Sequence, residues 1–274
     1  MKVGSTHAAR ELLERKPGLM AESVSSLLIG ATEFFREPGV FDFLQTKVLP
    51  EWVGRRRPLR IWSAACSTGA ELYSMAILLG ETGLLEQSYL LGTDCRGDAI
   101  ECAESGLYDA ATLKCVPRWM RDRYFEPVRP MQQRSGHRAP CLLHGRCAGP
   151  APGECGLTYR PIEALRRQAY WKVADLLAGV GHGPWDILLW RNAAIYLTSR
   201  SAETIWRRLV SVLVPGGVLI AGKADRPPCD AGLTHVARCV YRVADGPATA
   251  VAGSKRQSPL PRSIGRKLVP EPFL

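Results

Sequence analysis

The chain has 274 residues, 46% of them hydrophobic, and a formal net charge of +10, so it can bury one large core. No apolar run approaches the roughly 18 residues that span a bilayer, and the N-terminus holds no apolar signal region. We therefore expect a cytoplasmic protein without membrane insertion. Its nine scattered cysteines are expected to be reduced thiols, because a chain of this length does not need disulfides.

Residues 1–54 are predicted to form a short helical segment. Apolar residues recur at roughly helical spacing between positions 7 and 29, and a second helix is expected from Val40 to about Trp52. Between them lies the unusual run Thr32-Glu-Phe-Phe-Arg36. Its two aromatic rings could form an apolar wall beside the Arg36 cation; alternatively, both rings are core residues and Arg36 is a surface charge.

A strand–turn–helix unit follows and predicts a ligand site. A strand is expected from Leu59 to Ala64, then a small polar turn ending at Gly69, then a helix that begins with Glu71. Gly69 permits a close approach of the backbone to a ligand above the strand end, and the helix N-terminus offers N–H groups to it. About 25 residues later a second strand ends in Asp94, which suits a carboxylate that binds ribose hydroxyls.

A small inserted subdomain is predicted over residues 116–170. The α/β alternation stops there, and residues 117–172 hold 11 Lys and Arg against 4 Asp and Glu. The excess charge fits either a basic surface for an acidic or nucleic-acid partner or an ordinary solvated face. The insert also contains four spaced candidates for a tetrahedral zinc site, in a spacing that matches no standard pattern: Cys141, His144, Cys147 and Cys155.

The alternation of strands and helices returns after the insert. Strands are predicted for Trp171–Leu177, Pro184–Trp190 and Val218–Ala221, with a helix over Ser201–Val212 and a last strand over Val236–Val243. Residues 246–274 are rich in Pro, Ser, Lys and Arg without periodicity, which predicts a disordered tail.

Seven sequence blocks in order resemble the CheR-type chemotaxis-receptor methyltransferases over about residues 24 to 244. The blocks are TEFFREP, RIWSAACSTGAELYS, GTDCRGDAIECAESGLY, RYF, ADLL, WDILLWRNAAIYL and LVPGGVLIAGKAD. The resemblance implies an α/β fold with a doubly wound, mostly parallel, seven-stranded Rossmann-like sheet. The sheet domain would comprise residues 55–115 and 171–245. The implied cofactor is S-adenosylmethionine, with S-adenosylhomocysteine as product.

The resemblance also implies cofactor contacts at eight positions. Thr32 and Arg36 would approach the methionine end of the cofactor, Glu71 its ammonium group, and Asp94 the ribose hydroxyls. The contacts beside the adenine and the sulfonium would be made by Asp175, Leu176, Arg191 and Asn192.

Arg36 and Tyr196 are the implied catalytic residues, closest to the transferred methyl group. A carboxylate nucleophile is already ionised at pH 7, because its ordinary pKa is near 4.3, so no general base is required. The site must instead align the reactants and hold one carboxylate oxygen, which the bidentate geometry of Arg and the Tyr hydroxyl can do. Tyr196 could otherwise be an ordinary aromatic residue at a strand end.

The substrate is expected to be a carboxylate of a protein or of a small or carrier-bound acid, and not nucleic acid. The alternative is a catalytically weakened module that senses S-adenosylmethionine or scaffolds a partner. Four residues depart from the family pattern near the expected site: Ala70, Leu72, Arg96 and Lys223. The helical region before Thr32 is also short for a receptor enzyme, which leaves receptor methylation open.

Overall fold

The computed structural model describes residues 32–55, 57–128 and 158–244. The helices predicted before Thr32, the four candidate zinc ligands (Cys141, His144, Cys147 and Cys155) and the tail from residue 246 lie outside these ranges. Within them, no helix is long and apolar enough to cross a membrane.

Helices and strands alternate along most of the described chain. The helices are α1 Pro38–Phe43, α2 Ala70–Glu81, α3 Gly97–Ser105, α4 Arg118–Tyr124, α5 Glu163–Gln168 and α6 Ser199–Ser211. The strands are β1 Leu59–Ala64, β2 Ser88–Asp94, β3 Tyr108–Asp109, β4 Phe125–Val128, β5 Thr158–Pro161, β6 Ala169–Val173, β7 Trp185–Trp190, β8 Leu213–Ala221, β9 Leu233–Ala237 and β10 Val240–Val243.

Seven strands form one sheet in the order β6-β2-β1-β7-β8-β10-β9. Neighbours from β6 to β8 are parallel, and β10 is antiparallel to both β8 and β9. The order reverses direction beside β1, which is the position where open α/β sheets bind their ligands. The predicted doubly wound, mostly parallel, seven-stranded sheet is confirmed.

The sheet is covered on both faces, as expected for parallel strands. On one face α2 packs with residues 34–52, and nine of the twelve α2 residues are buried. On the other face α6 buries Ile205, Trp206 and Leu209 against the sheet, with Trp206 edge-on to Trp190 at 4.4 Å between ring centroids. Helix α2 is apolar on all sides because it lies inside the core, whereas α6 has one polar face.

Strands β3, β5 and β4 form a separate antiparallel sheet. It falls in the region predicted as an inserted subdomain, although it begins earlier, at Tyr108. The ring of Tyr108 connects this part to the main core, because its hydroxyl donates to the Thr68 carbonyl oxygen (2.7 Å) and its face meets Phe34 edge-on at 4.9 Å.

Four predicted elements differ from the structure. The strand expected over Trp171–Leu177 is β6 Ala169–Val173, and Asp175, Leu176 and Leu177 lie in the loop after it. The helix expected from Val40 to Trp52 is an α-helix only to Phe43, followed by a π-helical turn over Leu44–Val48 and a 3-10 turn over Leu49–Trp52. The last strand is two antiparallel strands, β9 and β10, that turn at Cys239 (φ 64°). Strand β8 begins at Leu213, before the predicted start at Val218, and its pairing with β7 shifts register between Trp185 and Ile187.

Candidate functional site

The carboxyl ends of β1, β2, β6 and β7 open onto a cavity of about 570 Å³. This volume lies within the range of small-molecule and cofactor sites, about 300–1,000 Å³. The structure brings all nine residues predicted for the site to the wall of this cavity: Thr32, Arg36, Glu71, Asp94, Asp175, Leu176, Arg191, Asn192 and Tyr196.

The turn between β1 and α2 forms the floor of the cavity. Ala65, Ser67 and Gly69 have positive φ values of 58°, 52° and 86°, so the chain reverses within a few residues. A Cβ on Gly69 would lie 2.5 Å from the Trp171 ring and 2.9 Å from Ala103. Gly69 is therefore required for packing of the turn against a neighbouring strand and helix, which corrects the expectation that it makes room for the ligand.

Asp94, at the end of β2, accepts a hydrogen bond from the turn between β1 and α2. Its Oδ2 accepts a hydrogen bond from the backbone N–H of Ser67 (2.8 Å), and its Oδ1 accepts one from the N–H of Arg96 (3.0 Å). The residue is 8% exposed and lines the cavity. A carboxylate held in this way is oriented in advance and keeps further lone pairs for ligand hydroxyls.

Glu71 and Arg191 form a buried ion pair at the back of the cavity. Glu71 Oε1 accepts from the Ser63 hydroxyl at 2.8 Å, and Oε2 lies 3.0 Å from Arg191 Nη1. Arg191 Nη2 donates to the Arg36 carbonyl oxygen at 2.6 Å and lies 3.5 Å from Glu37 Oε2. The Arg191 side chain is 2% exposed. It connects the end of β7, the start of α2 and the loop that carries Arg36.

That loop has an unusual backbone. Phe35 and Glu37 have φ values of 53° and 64°, which are uncommon for residues with a side chain. Ser74 Oγ accepts from the Phe35 N–H (2.9 Å), and the Phe34 and Phe35 rings are buried in the core. Both rings are thus core residues, as one of the two sequence interpretations held, while Arg36 lies exposed on the cavity wall.

Two loops form the rest of the cavity wall. After β6, the exposed Asp175 uses Oδ1 to accept from the Leu177 N–H (2.8 Å), and Leu176 packs on the hydrophobic core beside α6. After β7, Asn192 has φ 57° and a 3-10 turn over Ala194–Tyr196 follows. Tyr196 remains 48% exposed at the cavity mouth.

Two cysteine thiols on the cavity wall have raised pKa values. Burial raises the pKa of the Cys66 thiol well above its ordinary value, and the negative charges of Asp94 and Glu71 raise it further. For Cys95 burial again has the largest effect, followed by the charges of Asp94 and Asp175, and its pKa is also raised. Both thiols line the cavity and are poor nucleophiles at neutral pH.

The departures from the family pattern fall in different places. Ala70 and Leu72 are fully buried in the core and are absent from the cavity wall, so they leave the Glu71 carboxylate in place. Arg96 does line the cavity, and its Nε lies 3.8 Å from Asp94 Oδ1. Lys223 is exposed, and its backbone N–H donates to Glu37 Oε1 at 3.4 Å.

Sequence reasoning missed the acidic residues that hold these loops in place. Asp225 is 4% exposed, and its Oδ2 accepts from the N–H groups of Asn192 and Gly222. Glu37 contacts Arg191, the Lys223 N–H and Cys239. Asp225 and Glu37 bind backbone groups and residues distant in sequence, and periodicity gives no signal for such contacts.

The wall of the cavity fits S-adenosylmethionine. Asp94 can accept hydrogen bonds from ribose hydroxyls, Glu71 presents a carboxylate for an ammonium group, and Leu176 offers an apolar surface to a base. Among the described residues, no group of three or more His, Cys, Asp or Glu side chains could hold a metal ion.

Comparison with known proteins identifies the type of domain. Residues 30–135 match the family described as CheR methyltransferase, SAM binding domain. The chain is 29% identical over 252 residues to chemotaxis protein methyltransferase 2 of Pseudomonas aeruginosa, covering 90% of this chain and 80% of that protein. It is 27% identical over 232 residues to the chemotaxis protein methyltransferase of Listeria innocua, covering 84% and 78%. The chain is therefore similar to CheR-type methyltransferases, and its residues 30–135 match their S-adenosylmethionine-binding domain.

Proposed function

We propose that the chain methylates carboxylate groups of a protein, of the glutamyl side-chain type. The proposal is carried by one observation: Arg36 and Tyr196, a cation and a hydroxyl, lie on the wall of the same cavity as Glu71 and Asp94. Both residues are exposed there, so a substrate approaching from solvent can reach them.

The chemistry requires alignment and no proton transfer. When bound, S-adenosylmethionine supplies a methyl group that forms a bond to a carboxylate oxygen while the C–S bond breaks and leaves its electron pair on sulfur. Arg36 and Tyr196 would hold the other carboxylate oxygen by a charge-assisted and a neutral hydrogen bond. A carboxylate kept ionised in this way remains nucleophilic, since neither group donates its proton fully. Glu71 and Asp94 would fix the two ends of the cofactor.

A protein substrate is supported by the apolar rim of the cavity. Leu177, Ile195 and Tyr196 line the cavity and are 51%, 56% and 48% exposed. Exposed hydrophobic residues grouped around one opening are typical of a surface that meets a macromolecular partner. The relatives named chemotaxis protein methyltransferases are consistent with this assignment. A small acid would leave most of this rim in water.

The test is methyl transfer from S-adenosylmethionine carrying a labelled methyl group to a purified cytoplasmic fragment of a chemoreceptor. We expect label in the protein fraction that mild alkali releases as methanol, since methyl esters are hydrolysed by base. Label that is stable to alkali would contradict carboxylate chemistry. Binding of the cofactor without any transfer would favour the alternative of a sensing or scaffolding module.

Variants at the cavity mouth test the two catalytic assignments. Arg36→Ala and Tyr196→Phe are expected to lower kcat by about 10- to 100-fold, because each removes a hydrogen bond to the carboxylate. Calorimetry with S-adenosylhomocysteine should show a smaller change in cofactor affinity. Arg118→Ala, an exposed arginine on α4 away from the cavity, is the matched control. Loss of cofactor affinity with kcat unchanged would make Arg36 a cofactor contact only.

A further inference from the structure

The loop that follows β7 carries both Asn192 and Tyr196. Its backbone leaves the strand at Arg191, passes through the left-handed region at Asn192 (φ 57°) and enters the 3-10 turn that ends at Tyr196. Asparagine adopts this left-handed region more readily than most residues with a side chain. The position of the loop also depends on contacts with another part of the fold.

Asp225 supplies these contacts. Its Oδ2 accepts hydrogen bonds from the backbone N–H groups of Asn192 and Gly222 (3.1 Å for Gly222). The nearby Ala194 N–H and the Arg191 charge further favour the ionised carboxylate. One carboxylate thus joins the loop after β7 to the loop after β8. Both loops lie at the carboxyl edge of the sheet.

The Asp225 carboxylate is buried where the two loops meet. Asp225 is 4% exposed, and a Cβ on Gly222 would lie 2.5 Å from Asp225 Oδ2 and 2.6 Å from the Asn192 nitrogen. Burial raises the pKa of Asp225, and the backbone N–H groups oppose that shift. A buried carboxylate is costly unless donors satisfy it. Here the donors to Oδ2 are the Asn192 N–H, in the loop that carries Tyr196, and the Gly222 N–H, in the loop after β8.

We propose that Asp225 is a positioning residue for the methyl-transfer site, which fixes the backbone of the Asn192–Tyr196 loop and thereby the Tyr196 hydroxyl. The expected effect on catalysis rests on the proposed function, in which Tyr196 binds the substrate carboxylate. Asp225 is not among the residues that line the cofactor cavity, so its effect on the site would pass through the loop. A misplacement of about 1 Å at a reacting group can lower the rate by about 100-fold.

The first experiment measures the position of Tyr196 without any substrate. The full chain is labelled with 3-fluorotyrosine, and its Tyr196 resonance is assigned by its absence in Tyr196→Phe. In Asp225→Asn, which removes the charge but keeps the size, we expect this resonance to shift or broaden in the S-adenosylhomocysteine complex while the other tyrosine resonances stay in place. Asp225→Glu, which keeps the carboxylate, should restore it at least in part.

The second experiment separates positioning from general destabilisation. With the chemoreceptor fragment as substrate, Asp225→Asn should lower kcat by about 10-fold or more and change the KM for S-adenosylmethionine by less than about 3-fold. Asp230→Asn is the matched control, because Asp230 is exposed and pairs with Arg207 on the surface. It should change neither the Tyr196 resonance nor kcat.

An unchanged Tyr196 resonance in folded Asp225→Asn overturns the proposal. If the variants do not fold, hydrogen exchange of the unmodified chain decides: slow exchange of the Asn192 amide supports the proposal, and fast exchange overturns it. The resonance and exchange measurements need no carboxylate substrate. Absence of methyl transfer in the unmodified chain would therefore defeat the proposed function while leaving the role of Asp225 to be judged separately.

Discussion

Replacement of Arg191 by methionine should destabilise the whole fold, although Arg191 lies beside the ligand cavity. The side chain is 2% exposed and joins Glu71, Glu37 and the Arg36 carbonyl oxygen, with Phe41 beneath it at 5.5 Å from the ring centroid. Methionine keeps an unbranched apolar stem but ends where the guanidinium begins, and it has no donors. It leaves two carboxylates and one carbonyl group near the cavity without their shared partner.

The expected loss of unfolding free energy follows from the burial of the ion pairs that Arg191 makes with Glu71 and Glu37. Removing one partner of a buried ion pair costs about 3–5 kcal/mol. The side chains of Glu71 and Glu37 are 13% and 24% exposed, so water can reach them in part and the low end of that range applies. A loss of about 3 kcal/mol lowers Tm by about 6–12 °C in a domain of this size.

Urea unfolding followed by circular dichroism measures the free energy of unfolding directly. Arg207→Met is the matched control, because Arg207 pairs with Glu203 and Asp230 on the surface. Its replacement should leave the free energy of unfolding nearly unchanged. In a double-mutant cycle with Glu71→Gln, the two losses should not add. A loss below about 1 kcal/mol for Arg191→Met, or full additivity, would show that the ion pair does not hold the loops together.

Three further outcomes are expected. Gly92→Ala should destabilise the fold by about 1–3 kcal/mol in urea unfolding, because its Cβ would lie 2.4 Å from the buried Trp171 ring. Asp94→Ala should weaken S-adenosylhomocysteine binding at least about 100-fold in calorimetry, since hydrogen bonds to a charged acceptor contribute about 1.5–3 kcal/mol each. Alkylation of Cys95 by iodoacetamide should be slow at neutral pH and rise with pH through its raised pKa. Saturating S-adenosylhomocysteine should slow this reaction and leave that of the exposed Cys229 unchanged.

Each of these outcomes has a control or a contrary result. Gly97→Ala places a Cβ in open space at the first position of α3 and should be tolerated. Unaltered binding by Asp94→Ala would remove the assigned ribose contact. Equal alkylation of Cys95 with and without ligand would place the cofactor elsewhere.

The main sheet could be predicted from the sequence because its strands are short apolar runs that end in recognisable turns. In a parallel sheet the residues just after such runs meet at one edge, so Asp94 could be assigned to a ligand site from its position, while Asp175 and Arg191 came from the resemblance to the family. The resemblance to the family added Thr32 and Arg36, which precede the first strand and have no periodic signal.

The remaining features depend on contacts that a sequence does not display. The hairpin of β9 and β10 turns at Cys239 without glycine, proline or asparagine, so one strand was predicted where two exist. The role of Arg191 as a link between loops arises from its reach to the Arg36 carbonyl oxygen, 155 residues away in sequence. The contacts of Asp225 have no signal in the sequence, because its partners are backbone N–H groups.

Trp171 fills the space beneath both Gly69 and Gly92, and this has a consequence for how such chains can evolve. The indole limits both positions, but Gly69 also has a positive φ of 86° and would place a Cβ 2.9 Å from Ala103, so only the requirement at Gly92 depends mainly on Trp171. A chain with a smaller residue at position 171 would gain room for alanine at position 92, whereas either change alone would leave a void or a clash. Coordinated substitution at positions 92 and 171, rather than an invariant glycine at position 92, would then mark relatives that keep the same turn.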